Sequence, residues 1–377
     1  MREAILAACA PGEVRAALIA DGMLAELRIW RPGSPDGIGD LHRGRVAARI
    51  PALAGAFVTI DGADGFLPDS AGIAGLAEGT LLGVRVVRAA QGGKGPRLTA
   101  RLAPDEAKAA AEGRVRLVRR GPGALLDLAA EFPEASVCVD EPALAAALRP
   151  ALGARLTLVA QSWPDDLDAE VSALGEPVAV LPCGMRARFD PTPALVAIDL
   201  DSAGAIGTGA TGTGATGMGA TGSLAELNRA AFPALARQVR LRNLSGAILV
   251  DLAGLSPRRR AALGPDLAAA LACDPLRPRL LGFTALGLAE IVRPRIRPPL
   301  HELLAGPLAA GLAALRRIAR EVAANPARPR TLRAAPTVIA ALEADAAALA
   351  AVARRAGRPL MLRSDPAVPP HGWTIEE

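Results

Sequence analysis

Three aspartates stand where an α/β sheet presents its chemistry. Asp199 and Asp201 end the apolar run Leu195-Val196-Ala197-Ile198, and Asp251 ends Ala247-Ile248-Leu249-Val250. Both runs read as strands, and open α/β sheets hold ligands at the carboxyl ends of their strands. Carboxylates there are the hard oxygen donors that magnesium takes together with water and substrate phosphate. An ion held by Asp199 and Asp251, with Asp201 beside them, could activate water and stabilise charge on a phosphodiester. The same side chains could instead cap the helices that follow their strands.

Guanidinium groups flank these strands in sequence. Arg237, Arg240 and Arg242 fall between them, and Arg293 and Arg295 follow in Arg293-Pro294-Arg295-Ile296-Arg297. Placed beside a metal, they would hold a nucleic-acid backbone. A solvated helix face would also account for the first group, whereas the prolines make the second a poor helix. Nearer the amino end, Phe57 and Phe66 are two of only six phenylalanines, and Lys94 sits in the turn Gly92-Gly93-Lys94-Gly95. Aromatic faces beside a basic loop can stack bases and meet phosphate, although either ring could equally serve a core. The histidines His42, His301 and His371 are too scattered to suggest a histidine metal site or a serine triad.

The elements that must carry these groups change in texture along the chain. Residues 3–9, 13–20 and 23–31 read as three strands in a meander, separated by Pro11-Gly12 and Asp21-Gly22. From about 37 to 102, short strand patterns with glycine-rich turns suit a small closed barrel of the oligonucleotide-binding type. Past Pro104, helical stretches alternate with short apolar runs such as Ser136–Val139, Leu156–Val159 and Val178–Leu181. This pattern predicts an α/β layer with strands buried on both faces. A second such layer follows: strand 195–200, helix 223–243, strand 247–252, helix 257–272 and strands near 279–283 and 287–292. Alanine-rich helices, one of them over 336–355, precede a last strand at 359–362. The Ala-Thr-Gly repeat at 204–222 reads as a flexible surface loop, and its G-x-G-x-x-G letters arise from the repeat itself.

Composition narrows the function classes. With 377 residues and 51% hydrophobic content the chain can bury several cores, which excludes general disorder. Only Lys94 and Lys108 among the 43 basic residues are lysines, and the net charge is +5. An arginine-rich, basic chain suits phosphate partners, although a GC-rich genome would bias composition the same way. Cys9, Cys138, Cys183 and Cys273 form no CxxC, so neither a zinc ribbon nor a disulfide framework is expected, and a cytoplasmic setting fits. No apolar run reaches the roughly 18 residues of a membrane span, so no membrane partner is expected.

Several stretches resemble the bacterial ribonuclease E/G endoribonucleases. Gly22–Leu27 with Arg31-Pro32-Gly33 is similar to the family's first strands. Gly39–Val46, Gly55–Gly62 and Gly65–Pro68 resemble its RNA-binding barrel. The most specific pieces are Ile198–Gly204, Ala236–Asp251 and Gly282–Ile291, and Gly357–Pro366 is similar to the family's terminal domain. The resemblance implies an α+β / α/β multidomain fold. An RNase H-like domain (1–34 and 114–185) would be interrupted by an OB-fold RNA-binding barrel (35–103). A DNase I-like catalytic α/β domain (186–299) and a small C-terminal α/β domain (300–377) would follow.

It also implies magnesium-dependent cleavage of single-stranded RNA, leaving 5′-phosphate and 3′-hydroxyl ends. Asp199 and Asp251 would be the metal ligands, Asp201 would stand where the family has a supporting Asn, and Arg43 and Arg45 would join the barrel's RNA contacts. Three departures qualify the match. The 5′-monophosphate sensor segment shrinks to about Pro104–Gly113 without its Arg-Thr pair. Leu303–Pro307 replaces the CxxC zinc link, so no structural zinc is expected and any homo-oligomer would form without it. The acidic residue after the second metal aspartate is missing from Leu252–Leu255. A catalytically weakened RNA-binding protein of the same family is the alternative.

Overall fold

Largely apolar runs separated by Pro11-Gly12 and Asp21-Gly22 form β1 (Glu3–Ala10), β2 (Glu13–Ala20) and β3 (Met23–Trp30) as an antiparallel meander. Its second turn, Asp21-Gly22, has both residues at positive φ, the condition for a turn whose twist matches its strands. The computed structural model of the chain describes residues 3–72, 75–202, 223–326 and 328–376, so the repeat expected to form a loop at 204–222 lies outside the described residues. The chain divides into two compact units. One is built from Met1–Pro164, Ile296–Pro298 and Glu302–Glu377, the other from Asp165–Arg295 and Pro299–His301.

In the first unit, β4 (Leu41–Ile50), β5 (Gly55–Ile60), β6 (Ala63–Pro68), β7 (Leu81–Arg88) and β8 (Arg97–Thr99) close on themselves in the order β4-β5-β6-β8-β7-β4. Val46, Val58, Leu67, Val84, Val86 and Leu98 fill the interior. A closed five-stranded barrel is compatible with an OB-like domain. Beyond α1 (Pro104–Ala109), β9 (Arg116–Arg119) pairs with β4. Residues 116–119 therefore finish the barrel sheet, where the sequence placed them in the next layer.

After α2 (Ala124–Glu131), β10 (Ser136–Val139) pairs parallel to β1; after α3 (Pro142–Leu152), β11 (Leu156–Leu158) pairs parallel to β10. The resulting sheet, β11-β10-β1-β2-β3, packs Ile5, Val137 and Val139 against Leu125, Leu128 and Leu148 of the two helices. The expected burial of both faces does not occur: β10 buries only Val137 and Val139, and β11 only Leu156. These short strands alternate, as strands covered on one side do.

The second unit opens with α4 (Asp165–Ala173), β12 (Val178–Val180), β13 (Arg186–Pro191) and β14 (Val196–Asp201). Then come α5 (Leu224–Leu241), β15 (Gly246–Asp251), α6 (Pro257–Ala261), α7 (Gly264–Leu271), β16 (Arg279–Phe283) and β17 (Ala289–Arg293). The sheet order is β12-β13-β14-β15-β17-β16, in which β14 and β15 alone run parallel. A boundary at 186 cuts the β12–β13 hairpin, and the compact unit starts at Asp165 instead. The helix expected over 257–272 breaks before Gly264-Pro265, and Pro265 stands in the first turn of α7, where its missing N–H costs nothing.

α8 (Leu300–Leu304) and α9 (Gly306–Ala324) lead to β18 (Thr331–Ala334), α10 (Pro336–Glu343), α11 (Ala346–Ala356), β19 (Met361–Ser364) and β20 (Trp373–Glu376). The three strands form a small sheet in the order β19-β18-β20. The helix expected over 336–355 is two helices bent by 87°, because Asp345 starts a new one by accepting a hydrogen bond from the Ala348 N–H. Among the described residues no single helix is long and apolar enough to cross a membrane.

Phe232 of α5 is 1% exposed and packs in the core shared with Ile198 and Ile248. Phe232→Ala should lower the unfolding free energy by about 3–5 kcal/mol, read from urea denaturation.

Candidate functional site

Strand alternation sorts the second unit's sheet into two faces. Val196, Ile198 and Leu200 of β14 and Ile248 and Val250 of β15 are buried under α5 and α7, while Asp199 and Asp201 are exposed on the opposite face and Asp251 is half-exposed. The parallel register sets Asp199 directly against Asp251. Side chains on adjacent strands stand roughly 5 Å apart at their bases, so the two carboxylates share one patch. Asn228, fully buried on α5, accepts from the Ala253 N–H at 3.0 Å and donates to the Ala253 carbonyl at 3.1 Å, fastening the turn that follows Asp251.

The patch is charged in both senses. Partial desolvation and repulsion from Asp251, Asp201 and Asp190 push the Asp199 carboxyl above its ordinary range, with Arg188 opposing. Antiparallel pairing puts Arg188 opposite Asp199 and Arg186 opposite Asp201. Arg188 donates to Asp190 at 3.0 Å. Arg260 of α6 forms an ion pair with Asp251. Asp199 and Asp251 thus offer hard oxygens whose mutual repulsion a divalent cation would relieve, and this donor set fits magnesium. A cation there shares Asp251 with Arg260, and among the described residues no group of three or more His, Cys, Asp or Glu side chains is arranged as a metal cage.

The arginines anticipated as backbone contacts lie elsewhere. α5 carries its Ser223 end toward the carboxyl end of β15, through Asn228, and returns to the start of β15 at Gly246. Five residue steps put that start about 17 Å from Asp251. Arg242 is buried there, stacked 4.2 Å from the Phe189 ring centre and donating to the Glu176 carbonyl; burial pushes its pKa down to about 10. Arg293, opposite Gly246, is 3% exposed and bound to Asp274 at 2.7 Å and Asn243 at 2.7 Å. Arg237 pairs with Glu170 at 2.5 Å, Arg240 donates to the Cys273 carbonyl, and Arg295 lies over the backbone of Gly246. Arg242 and Arg293 are therefore structural. Arg186, Arg188 and Arg260 adjoin the carboxylates instead, signalled only by the alternation Arg186-Ala187-Arg188 and by the run Arg258–Arg260.

In the barrel of the first unit, Phe57 and Phe66 face each other across β5 and β6, edge to face at 5.8 Å, and Phe57 is 39% exposed. Gly55 makes room for this, because a Cβ there would lie 2.5 Å from Phe66. Arg97, which the sequence did not single out, sits 5.8 Å from the Phe66 ring centre. Arg45 and Lys94 are exposed. Arg43 is tied to the carbonyls of Ala110 at 2.7 Å and Gly113 at 3.1 Å, so it braces the barrel.

Two expectations follow. Because Asp199 has a raised carboxyl pKa in the fold, the folded state holds that proton more tightly than the unfolded chain, and stability is lost as pH rises through the folded value. In metal-free buffer Asp199→Asn should melt above wild type at pH 7, and the gap should close near about pH 3, where the native carboxyl is protonated too. Arg293→Ala should cost about 3–5 kcal/mol in urea denaturation, by stranding Asp274 in the interior.

Comparison with known proteins converges on the same segment. Residues 164–296 match the family model described as Ribonuclease E/G family. Ribonuclease G of Escherichia coli strain K12 is 30% identical over 141 residues, covering 37% of this chain and 27% of that protein. Ribonuclease E of a Nostoc species is 32% identical over 138 residues, covering 36% and 19%, and ribonuclease E of Escherichia coli strain K12 is 29% identical over 137, covering 36% and 12%. The match thus spans about a quarter or less of these relatives' length. On the stretch that carries the paired aspartates, residues 164–296, this chain is similar to the ribonuclease E/G family.

Proposed function

We propose that this protein is a magnesium-dependent endoribonuclease that cuts single-stranded RNA and leaves 5′-phosphate and 3′-hydroxyl ends. The observation that carries the reading is the in-register pair Asp199 and Asp251, on an open sheet face within the segment matched to the ribonuclease E/G family. These two would hold magnesium, with Asp201 on the same face in support. Bound there, magnesium would supply Lewis acidity toward a phosphodiester and toward water. Arg186, Arg188 and Arg260 are the guanidiniums near enough to orient a phosphate. Phe57 and Phe66 offer stacking faces to bases, with Arg45, Lys94 and Arg97 beside them.

In this reading the sheet β11-β10-β1-β2-β3 is RNase H-like, the barrel is the OB-fold RNA grip, the second unit's sheet is the DNase I-like catalytic layer and the segment after 300 is a small accessory domain. The protein acts in the cytoplasm. The short α1 segment gives no preference for 5′-monophosphorylated RNA, and any homo-oligomer forms without zinc. Two observations favour a second reading, an RNA-binding protein with weakened cleavage: Arg260 already compensates Asp251, and Asp201 adds a charge where the family has Asn.

The two readings separate in one experiment, a short fluorescent single-stranded RNA incubated with magnesium or EDTA, wild type beside Asp251→Asn. Cleavage that needs magnesium and falls at least about a hundredfold in the variant, roughly 3 kcal/mol of transition-state stabilisation, supports the enzyme. Magnesium should also raise the melting temperature of wild type and leave that of Asp251→Asn unchanged. RNA bound by both proteins and cut by neither would establish the second reading.

A further inference from the structure

A cavity of about 410 Å³ opens in the carboxy-terminal part of the first unit, between α9 and Trp373 of β20. Its helical wall is Ala313, Arg316, Arg317, Arg320 and Ala324, whose spacings of three and four put them on one face. A separate stripe of the same helix, Leu312, Leu315, Ile318 and Val322, is buried in the core with Val338 and Leu342 of α10. The helix thus has an apolar face for folding and a guanidinium face turned to an open space.

The charges around the cavity favour an anion. Glu13 is divided among Arg15, Arg31 and Arg316 at 2.9, 2.9 and 2.8 Å. Glu321, which also lines the cavity, is divided between Arg317 and Arg330 at 3.0 and 3.1 Å. Each guanidinium has five N–H donors, so one that shares a carboxylate keeps donors for a further acceptor. The Arg317 side chain is 68% exposed and can reach one. Half-buried Trp373, one of only three tryptophans in the chain, lines the same cavity.

We propose that this cavity is a second RNA-anchoring site, which takes one nucleotide of a single strand with its phosphate on Arg316, Arg317 and Arg320 and its base against Trp373. Planar guanidiniums match phosphate oxygens, an aromatic face stacks any base, and the volume lies in the range of small-ligand sites. The residues lie outside the segment matched to the ribonuclease E/G family and in the other compact unit from Asp199 and Asp251. The site therefore binds whether or not the carboxylates cut.

The test uses the full chain in EDTA with a fluorescein-labelled decauridylate carrying one 5-bromouridine. Ultraviolet crosslinking followed by mass spectrometry should place an adduct on the peptide that contains Trp373. In Arg317→Gln/Arg320→Gln the adduct should vanish, affinity should fall severalfold, and the slope of log affinity against log salt should shrink by about 0.7 for each phosphate no longer neutralised. Trp373→Leu should weaken binding about fivefold with the salt slope unchanged. Trp373→Phe, which keeps a ring at that position, should retain most of the affinity. Asp251→Asn should leave the Trp373 crosslink in place, so failure of the cleavage reading and failure of this site show in different proteins. A crosslink confined to other peptides, or affinities within twofold of wild type in both Arg317→Gln/Arg320→Gln and Trp373→Leu, would overturn the proposal. Displacement of the oligonucleotide by polyglutamate as effective as by unlabelled decauridylate would overturn it too, by showing a polyanion surface without base recognition.

Discussion

The candidate centre depends on the register between β14 and β15. With Val196 set against Ile248, every second residue of both strands enters the core beneath α5 and α7, and Asp199 meets Asp251 on the other face. A slip of one residue in either strand would send an aspartate into the layer occupied by Phe232 and Leu235, where an unpaired charge is costly. Hydrophobic burial thereby places the carboxylates more firmly than any contact among the carboxylates themselves. Their direct interaction is repulsive and adds to the effect of burial in raising the pKa of Asp199.

That repulsion is offset locally. Arg188 comes from the neighbouring antiparallel strand and Arg260 from the helix after β15, so positive charge reaches the patch from two sides. At the far end of the sheet other arginines serve the fold. Arg242 stacks on Phe189, and Arg293 joins Asp274 to the Asn243 turn, which itself adopts positive φ before β15 begins. One arginine-rich segment of sequence thus supplies framework, while the guanidiniums beside the acidic patch come from elements that look ordinary in one dimension.

The barrel shows a similar division between frame and surface. Gly55 admits the Phe66 ring of the neighbouring strand across its backbone, and two residues on, Phe57 meets that ring edge to face, so two aromatics that could have filled the interior lie on a face with Arg97. The interior is filled by valines, leucines and isoleucine, together with an alanine. Arg43 extends away from that face to the carbonyls near α1 and holds the segment after the barrel against β4.

By itself the sequence determined whatever follows from local periodicity and turn chemistry. The opening meander is set by its apolar runs and by the turns Pro11-Gly12 and Asp21-Gly22, and the barrel strands by short apolar runs between glycine turns. The outward direction of Asp199, Asp201 and Asp251 follows from apolar neighbours at every second position. Tertiary structure alone decided what depends on partners distant in the chain. It made β14 and β15 parallel neighbours, carried β9 into the barrel, and put Arg242 and Arg293 at the opposite end of the sheet from the aspartates. Side-chain alternation is a property of one strand, whereas pairing and register are chosen by how much apolar surface all the elements bury together, and no single segment encodes that sum.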